Sequence, residues 1–307
     1  MVKLYRPPPS EQIYESYLPG KYIGFTVERY FADRFSYLSR EEWCEYIRDG
    51  RITVNGEQVD PATPLKQHDF IVTRMGMREE PPSDRTLDLV YEDDTIRAFN
   101  KGAPLAMHPC GRYFKNSLTE ILKEAYPGET PRPIQRLDAL TTGLAVFAKS
   151  KEVATHLMKE FEANRIDKEY LALVEGIPPE NNFVVDAPVG KVKGSARGVG
   201  RETLNPKEAI TYFELLSLQG DRALLKAVPK TGRTNQIRVH LASIGLPVVN
   251  DPVYGEPHKD GVHQYGLHAY RLRFDGIDGE IDLTAPWPEH FQPYWDALCR
   301  ESKIAQR

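Results

Sequence analysis

The segment QRLDALTTGLAVFAKS, residues 135–150, combines two charged residues with a run of small and apolar ones. Arg136 and Asp138 stand directly ahead of a Thr-Thr-Gly turn, and the GLAVFAKS that follows is typical of a buried strand. A carboxylate at the start of such a strand is partly desolvated, which disfavours its charged form unless a cation balances it. Arg233 and Arg238, far along the chain in TGRTNQIRVH, are candidates for that cation. A structural ion pair and a catalytic carboxylate both remain open from these residues alone.

The chain beyond Thr86 alternates strand-like and helix-like stretches. KEVATHLMKEFEAN carries apolar residues at helical spacing, whereas KEYLALVEG and DRALLKAVPK have the apolar composition of strands. QIRVHLASIG is predicted to be helical and YGLHAYRLRF to be a strand. Many strands around a few helices predict an α+β domain built on a mixed, mostly antiparallel sheet.

The N-terminal part of the chain has a different pattern. Ser39 is predicted to cap a helix, because Glu42 lies at capping-box spacing, and Gly50 marks the end of that helix. RITVNGEQVD then alternates apolar and polar positions around Asn55-Gly56, a strong hairpin signal. The sequence therefore predicts an extended N-terminal arm, a helix–helix–hairpin domain, a linker and a larger domain, at residues 1–27, 28–76, 77–86 and 87–307.

Composition argues against several classes of protein. Apolar residues make up 40% and charged residues 27% of the 307, as in ordinary globular proteins, and no apolar run approaches the ~20 residues that cross a bilayer. The three scattered cysteines and eight histidines show neither a disulfide framework nor metal-ligand spacing. The N-terminus lacks the apolar core of a signal peptide, which predicts a cytoplasmic protein. The net charge of -4 counts mildly against a nucleic-acid partner.

The small domain resembles the S4 RNA-binding domain through SREEWCEYIRDGRITVNGEQV, residues 39–59, and the LKQHDFIVT that follows. This resemblance implies that a small α/β unit binds RNA. Arg40, Arg48 and Arg51 lie on or just after the second predicted helix, where guanidinium groups on one exposed face would suit phosphate contacts. A solvated helix whose charges bind nothing specific is the alternative. The acidic residues between these arginines favour an accessory contact over tight binding.

Residues 87–292 resemble the RluA family of pseudouridine synthases in four motifs that follow in the family's order. The motifs are YEDDTIRAFNKGAPLAMHPCG, QRLDALTTGLAVFAKS, IDKEYLALVEG and TGRTNQIRVHLASIGLPVVNDPVYG, and LHAYRLRF resembles the strand after the last. The resemblance implies a catalytic domain of the pseudouridine synthase type, which isomerises a uridine of RNA to pseudouridine. Because substrate and product are isomers, neither a cofactor nor a metal is expected.

The resemblance also implies roles for individual residues. Asp138 is expected to be the catalytic aspartate, acting either by covalent attack on the nucleotide or by assisting a glycal-type intermediate. Tyr170 is expected to pack against the target base and to take part in removing its C5 proton. Arg238 would pair with the catalytic carboxylate, and Arg136 would enter the RNA stack when the target nucleotide flips out.

Two positions depart from the family pattern. Gln135 and Asn235 each stand where the family usually has histidine, and both keep side-chain hydrogen bonding while removing a titratable group. Because neither histidine is thought to perform the chemistry, activity is expected to be retained. His108 keeps its motif position, and His108 and Arg233 are candidate RNA contacts beside Arg136.

Two further segments bear on the substrate. REEPP and HPCGRYFKN resemble the eukaryotic-type relatives that include tRNA anticodon-stem-loop pseudouridine synthases. The first expected substrate is therefore tRNA, and the second is rRNA. VGKVKGSARGVGR, residues 189–201, has the composition of a Gly-rich loop. Its basic residues are either an RNA contact or a solvated face, and they are Lys191, Lys193, Arg197 and Arg201.

Two other functions compete with this one. A non-catalytic RNA-binding protein on the same fold would explain Gln135 and Asn235, but it has no need of Asp138, Tyr170 and Arg238 together. An aspartate-dependent hydrolase of nucleosides or small molecules is disfavoured by the S4-like domain, and turnover of free uridine would reveal it. Nothing in the sequence indicates an obligatory protein partner.

Overall fold

The computed structural model describes residues 4–35, 37–192, 196–256 and 265–305. The chain forms two compact units. The small unit is Pro7–Glu80, and the large unit joins Met1–Arg6 to Pro81–Arg307. None of the helices within the described ranges is both long and apolar enough to span a bilayer.

The small unit is an antiparallel sheet with two helices. Its elements are β1 (Ser10–Tyr17), α1 (Val27–Arg34), α2 (Arg40–Arg48), β2 (Ile52–Val54), β3 (Glu57–Gln58) and β4 (Phe70–Arg78). The strands lie in the order β1-β4-β2-β3. A 3-10 turn at Gly20–Tyr22 precedes α1. The two helices, the hairpin and the following strand agree with the elements that the sequence predicts.

Local sequence determines where α2 begins and how the hairpin turns. Ser39 Oγ accepts a hydrogen bond from the Glu42 backbone N–H, and the Glu42 carboxylate accepts one from the Ser39 N–H, which completes the capping box. Asn55 and Gly56 have φ values of 53° and 84°, the left-handed backbone that a two-residue hairpin turn requires. An aromatic core around the fully buried Trp43 packs the helices against the sheet.

The N-terminal arm differs from its prediction over residues 10–17. These residues form β1, which pairs with β4 along its length. Gln12 is the one buried residue of this strand, so the backbone ladder holds it in place and no apolar alternation marks it in the sequence. The linker predicted at residues 77–86 likewise begins inside β4, which ends at Arg78.

Within the described ranges, the large unit is built on a ten-stranded sheet. The strands of this sheet are β5 (Leu87–Glu92), β6 (Ile96–Lys101), β7 (Arg132–Pro133), β8 (Thr142–Ala148), β9 (Asp167–Glu175), β10 (Asn182–Asp186), β14 (Ile210–Gln219), β15 (Arg222–Pro229), β16 (Leu267–Asp275) and β17 (Glu280–Thr284). A smaller sheet of the large unit consists of β11 (Val189–Lys191), β12 (Arg197–Val199) and β13 (Leu204–Lys207). The helices of the large unit are α3 (Leu118–Ala125), α4 (Lys151–Glu162), α5 (Gln236–Ser243) and α6 (Gln292–Ala305).

The large sheet has the order β10-β14-β15-β9-β16-β8-β6-β5, with β17 on β16 and β7 on β8. Strands β8 and β16 pair in parallel, and the other pairs described in this sheet are antiparallel. The predicted α+β fold with a mixed, mostly antiparallel sheet is therefore confirmed. The parallel pair brings Thr142, four residues after Asp138, beside His268.

The segment 189–201 is not the Gly-rich loop that its composition predicts. Strands β11 and β12 pair within it, and β13 completes a three-stranded sheet. A Cβ atom on Gly190 would lie 1.9 Å from Thr203 Oγ1, so this glycine permits close packing. Lys193 lies outside the described residues.

Helix α5 is buried on more than one side. Ile237 and Leu241 pack into the core beneath the large sheet, and Val239 packs with Val189 of the three-stranded sheet. Because both sides of the helix are held, its polar residues have fixed positions. Arg238, which is only 7% exposed, is one of them.

Candidate active site

Asp138 lies in a turn between strands β7 and β8, and a buried lysine holds this turn. The carbonyl oxygen of Ala139, the next residue, accepts a hydrogen bond from the Leu105 N–H at 2.8 Å. Lys101 is 1% exposed, and its Nζ donates to the carbonyl oxygens of Gly102, Leu105 and Ala139 at 2.9, 2.8 and 3.2 Å. Three carbonyl acceptors satisfy the three donors of an ammonium group. The backbone of residues 101–105 is thereby bonded to Ala139, the residue that follows Asp138.

Arg238 joins two carboxylates from different parts of the chain. Its Nη1 lies 2.6 Å from Asp138 Oδ2, and its Nε and Nη2 lie 2.7 and 2.8 Å from the two oxygens of Asp251. Asp251 is fully buried and also accepts the backbone N–H groups of Val253 and Tyr254, whereas the Asp138 side chain is 38% exposed. The arginine fork thus orients Asp138 and leaves part of its carboxylate accessible. Asp138, Arg238 and Asp251 are referred to below as the Arg238 centre.

Arg238 and Asp251 remain charged near neutral pH. Burial alone would lower the pKa of Arg238, but its hydrogen bonds to Asp251 and the charge of Asp138 outweigh burial and raise that pKa. Burial likewise opposes the ionisation of Asp251, but the bonds from Arg238 hold the pKa of Asp251 below its usual value. Within the centre, Asp138 is the carboxylate with an exposed face, so it is the one that a ligand can reach.

Two tyrosines line the cleft beside this centre. Burial, followed by the charge of Asp138, raises the pKa of Tyr170 on β9 to about 12. Tyr265 is 2% exposed, its hydroxyl lies 3.4 Å from Asp251 Oδ2, and burial raises its pKa as well. Both phenols are therefore protonated near neutral pH. An accessible carboxylate next to protonated phenols suits reactions that move a proton.

These groups line one cleft of about 720 Å³ in the large unit, a size in the usual range of ligand sites. The residues predicted from the sequence that line it are His108, Arg136, Asp138, Tyr170, Arg233 and Arg238. The fold therefore brings six of the nine predicted site residues together. In the described parts of the chain, no group of three His, Cys, Asp or Glu side chains is placed to hold a metal ion.

The other three predicted residues of the cleft differ in their surroundings. Arg136 is exposed, and among the described residues its guanidinium group has neither a hydrogen bond nor an ion pair. His108 is half-buried, and burial together with the charge of Arg136 lowers its pKa, which leaves the imidazole neutral near neutral pH. Arg233 is also half-buried, and its Nε donates to the Glu208 carbonyl oxygen at 3.0 Å.

Both positions that depart from the family pattern are hydrogen-bonded. Gln135 Nε2 donates to the Leu144 carbonyl oxygen at 2.9 Å. Asn235 Oδ1 accepts from Arg238 Nη1 at 3.2 Å, and Asn235 Nδ2 donates to the Tyr254 hydroxyl at 3.0 Å. Asn235 thus supports Arg238 with a side chain that does not titrate.

The sequence prediction missed Asp251, Lys101 and Tyr265. Asp251 lies in the quoted NDPVYG and Lys101 in the quoted FNKGAP, so the motifs contained both residues without indicating their partners. The apolar LPVV directly before Asn250-Asp251 was an available signal, because a carboxylate that follows a buried run requires a partner. No periodicity marks Tyr265.

Arg40, Arg48 and Arg51 belong to the small unit, and none of them lines this cleft. Arg40 pairs with Glu28 at 2.5 Å and its side chain is 61% exposed. The Arg51 guanidinium lies 3.7 Å from the centroid of the Tyr46 ring. Arg48 is exposed. The small unit therefore presents cations at its surface, two of which have a partner within the unit.

Comparison with known proteins identifies relatives of the chain. A family model described as RNA pseudouridylate synthase matches residues 96–243. Ribosomal large subunit pseudouridine synthase D of Vibrio cholerae is 30% identical over 237 residues, which cover 75% of this chain and 72% of that protein. The mitochondrial tRNA pseudouridine(32) synthase of Saccharomyces cerevisiae is 33% identical over 224 residues, which cover 72% of this chain and 48% of that protein.

A solved structure has a similar fold. The structure of human RNA Pseudouridylate Synthase Domain Containing 1 matches with a TM-score of 0.59 and 28% identity, and the match covers 71% of this chain and 90% of that one. This chain spans only 43% to 62% of the length of several curated relatives that it matches, the yeast protein among them. Asp138, Tyr170 and Arg238 all lie within the residues that the family model matches.

Proposed function

Because the chain belongs to the RNA pseudouridylate synthase family, we propose that it converts a specific uridine of a structured RNA into pseudouridine. The observation that carries the proposal is the presence of Asp138, Arg238 and Tyr170 in one cleft. An accessible carboxylate held by an arginine, in a cleft that also contains a protonated phenol, supports a mechanism that needs both a nucleophile and a proton carrier.

Asp138 is the group to which we assign the first step. The reaction breaks the bond between N1 and C1′ of the uridine, and the base turns and rejoins the ribose through C5. Asp138 can attack the nucleotide covalently or assist formation of a glycal-type intermediate, and both routes begin from a charged, oriented carboxylate. Arg238 supplies that orientation, because Asp251 holds the other side of its guanidinium fork.

We assign a proton relay to Tyr170. After the new bond forms, the C5 proton leaves the base and N1 takes up a proton, so that no proton is gained overall. With a pKa of about 12, Tyr170 is a phenol near neutral pH. A phenol can accept the C5 proton only while it passes its own proton on, which is a relay and not simple base catalysis.

Arg136 is proposed to replace the flipped uridine in the RNA. A stacked base hides its reacting atoms, so the nucleotide must leave the stack, which costs roughly a few kcal/mol. An exposed guanidinium group without a partner in the described chain is free to stack in the gap. The neutral His108 and the half-buried Arg233 are proposed to contact the RNA beside it.

The proposed substrates are tRNA first and rRNA second. The resemblance of HPCGRYFKN and REEPP to synthases of the tRNA anticodon stem-loop supports tRNA. The yeast relative is named a tRNA pseudouridine synthase and the Vibrio relative a ribosomal large subunit pseudouridine synthase. Both classes of RNA therefore have a precedent among similar proteins.

We further propose that the small unit is an S4-like domain that gives an accessory RNA contact. Its helix–helix–hairpin–strand order and the surface position of Arg48 support this. Replacing Arg40, Arg48 and Arg51 together by Gln should weaken RNA affinity about tenfold while the single-turnover rate at saturating protein stays the same. Replacing Lys151 and Lys159 of α4 by Gln is the control for lost surface charge. An unchanged affinity would leave the small unit without an RNA-binding role.

The experiment that tests the reaction uses total tRNA and total rRNA from cells that lack this protein. Each pool is incubated with the purified chain and with Asp138→Asn, and new pseudouridines are mapped by carbodiimide-dependent stops of reverse transcription. Stops that appear with the wild-type chain and not with Asp138→Asn are the expected result, and they also identify the RNA. RNA binding without any stop would instead indicate a non-catalytic RNA-binding protein.

A cytoplasmic location also remains a prediction. The yeast relative named above is mitochondrial by name, so a mitochondrial location is the alternative. Fractionation of cells that carry a C-terminally tagged chain separates the cytoplasmic from the mitochondrial alternative.

A further inference from the structure

Lys168 is a buried cation in the wall of the cleft, and the mechanism above assigns it no task. It lies on β9 two residues before Tyr170, and side chains two apart on a strand point to the same face. Both residues line the cleft, as does Phe161. Lys168 is only 6% exposed as a whole residue, so most of its side chain is withdrawn from water.

Within the part of the chain that the structure describes, no carboxylate lies at ion-pair distance from this ammonium group. Among the described residues, Lys168 Nζ makes no hydrogen bond and no ion pair, and the centroid of the Phe161 ring is 5.9 Å away. Burial lowers the pKa of Lys168, and the nearby charge of Lys230 lowers it further against a smaller opposing effect of Asp167. A buried charge without a partner is unfavourable. An anion next to Lys168 would remove that penalty.

Two other buried basic side chains show what Lys168 lacks. Three carbonyl oxygens accept hydrogen bonds from Lys101, and two carboxylates accept them from Arg238. Lys168 is about as buried as Arg238 but has neither kind of partner among the described residues. Because its side chain lines the cleft, the missing partner can be an anion that enters the cleft from outside the protein.

We propose that Lys168, with Lys230 beside it, binds a phosphodiester group of the RNA next to the uridine that enters the cleft. This inference rests on the function proposed above, since it takes the ligand to be RNA. A phosphodiester carries one negative charge and two free oxygens, and a lysine ammonium binds phosphate as a compact point charge. Uracil offers carbonyl oxygens but no charge that could balance a buried cation.

The pKa of Lys168 indicates a second cation nearby, since the charge of Lys230 lowers it, although Lys230 itself does not line the cleft. The β9–β15 ladder ends with the pair Tyr170 and Ala227, so Lys168 lies beyond it on the side where β15 ends at Pro229. Lys230 follows directly and is exposed. In the proposed phosphate site, Lys168 is the buried basic residue and Lys230 is the exposed one.

The first test compares Lys168→Met with Lys226→Met in the full chain. Lys226 lies on β15 and pairs with Glu214, which makes it a matched control outside the cleft. Lys168→Met should raise the Kd for RNA about tenfold or more, because a charge-assisted contact is lost. It should also reduce the slope of log Kd against log salt by about 0.7. The thermal midpoint of the free protein should stay the same or rise, because an unpaired buried charge is removed.

The second test locates the phosphate. The probe is the RNA in which the Asp138-dependent pseudouridine is mapped, or a single-stranded oligouridylate if none is mapped. One phosphate at a time is replaced by a neutral methylphosphonate, and binding is measured in the Asp138→Asn background, which prevents turnover. One position should weaken binding strongly, and adding Lys168→Met should cause no further loss at that position.

The outcomes separate this proposal from the proposed reaction. An unchanged salt slope, or losses that are additive at every phosphate, would overturn the phosphate site even if the wild-type chain makes pseudouridine. Coupling at one phosphate in a chain that makes no pseudouridine would uphold the site and refute the reaction. A lower thermal midpoint with unchanged RNA affinity would make Lys168 a packing residue. Failure to bind oligouridylate, in a chain that makes no pseudouridine, would overturn both proposals.

Discussion

Arg238 and Lys168 are buried to nearly the same degree in the wall of one cleft, at 7% and 6% exposure, but only Arg238 lies between carboxylates. A cation paired within the protein keeps its position whether or not a ligand is present. A cation without an internal partner gains one only when a ligand brings it. We infer that the first arrangement orients Asp138 for chemistry and that the second recognises the charge of the substrate.

Arg136 extends the comparison to a cation that water can solvate. It lines the same cleft but is exposed, so its charge carries no desolvation penalty in the free protein. The three cations should therefore differ in what their loss does. Losing Arg238 should damage both fold and chemistry, losing Lys168 should damage binding, and losing Arg136 should mainly affect access of the uridine to the cleft.

The largest effect is expected for Arg238→Lys. A lysine keeps the charge but has no planar fork, so it cannot bridge Asp138 and Asp251 together. Leaving a buried charge unpaired costs about 3–5 kcal/mol, and about 1.4 kcal/mol is a tenfold change in rate. Pseudouridine formation in a single turnover at saturating RNA should therefore fall by about a hundredfold to a few thousandfold, and the thermal midpoint should fall as well.

Arg136→Lys is the matched control for that change, since it makes the same substitution at an exposed position of the same cleft. Its thermal midpoint should stay at the wild-type value, and its rate should fall by about tenfold, as expected when a stacking plane is lost but the charge remains. Equal losses in the two variants would contradict the distinction between paired and solvated cations.

A smaller effect is expected for Tyr170→Phe, which tests the chemistry at the Arg238 centre without touching a charge. Removing one hydroxyl that relays a proton should lower the single-turnover rate by about a hundredfold, the lower end of what acid–base catalysis contributes, and leave RNA binding intact. Tyr265→Phe is the control, because it also removes a tyrosine hydroxyl from the cleft lining. That hydroxyl makes only a long hydrogen bond, 3.4 Å, to Asp251, so its loss should cost little. If Tyr170→Phe retained full activity, Tyr170 would be a packing residue on β9.

Much of the site could be predicted because its residues lie in contiguous motifs. The sequence predicts an arginine partner for Asp138, and the structure places Arg238 Nη1 2.6 Å from its carboxylate, although the two residues are 100 positions apart. It also predicts the capping box of α2 and the Asn55-Gly56 turn, since both depend on residues within three positions of each other.

Features that depend on distant contacts could not be predicted in the same way. Nothing within FNKGAP indicates that Lys101 reaches the carbonyl oxygen of Ala139, 38 residues away. Strand β1 has one buried residue, Gln12, so no apolar alternation distinguishes it from an arm. The burial of Lys168 is equally hidden, because its neighbours Asp167 and Glu169 are charged and the segment has the composition of an exposed strand end.

His268 tests the rule behind the comparison, namely that a buried cation needs a partner. It is 1% exposed on β16; its Nδ1 lies 2.8 Å from Thr142 Oγ1, and its Nε2 has no partner among the described residues. Burial, followed by the charge of His290, lowers its pKa from 6.5 to about 3. The unfolded chain therefore takes up this proton first as the pH falls, so His268 contributes stability above about pH 6.5 that is lost progressively towards pH 3.

Between about pH 7 and about pH 5, this single group should reduce the free energy of unfolding by about 2 kcal/mol. His268→Gln, which keeps a hydrogen-bonding partner for Thr142, should lack that part of the loss although it is less stable at every pH. Urea unfolding of both proteins at the two pH values gives the difference, since the other histidines contribute equally to both. If wild type and variant lost the same free energy, His268 would take up its proton in the folded protein as readily as in the unfolded chain. Burial without a partner would then carry no penalty, and the contrast between Lys168 and Arg238 would fail.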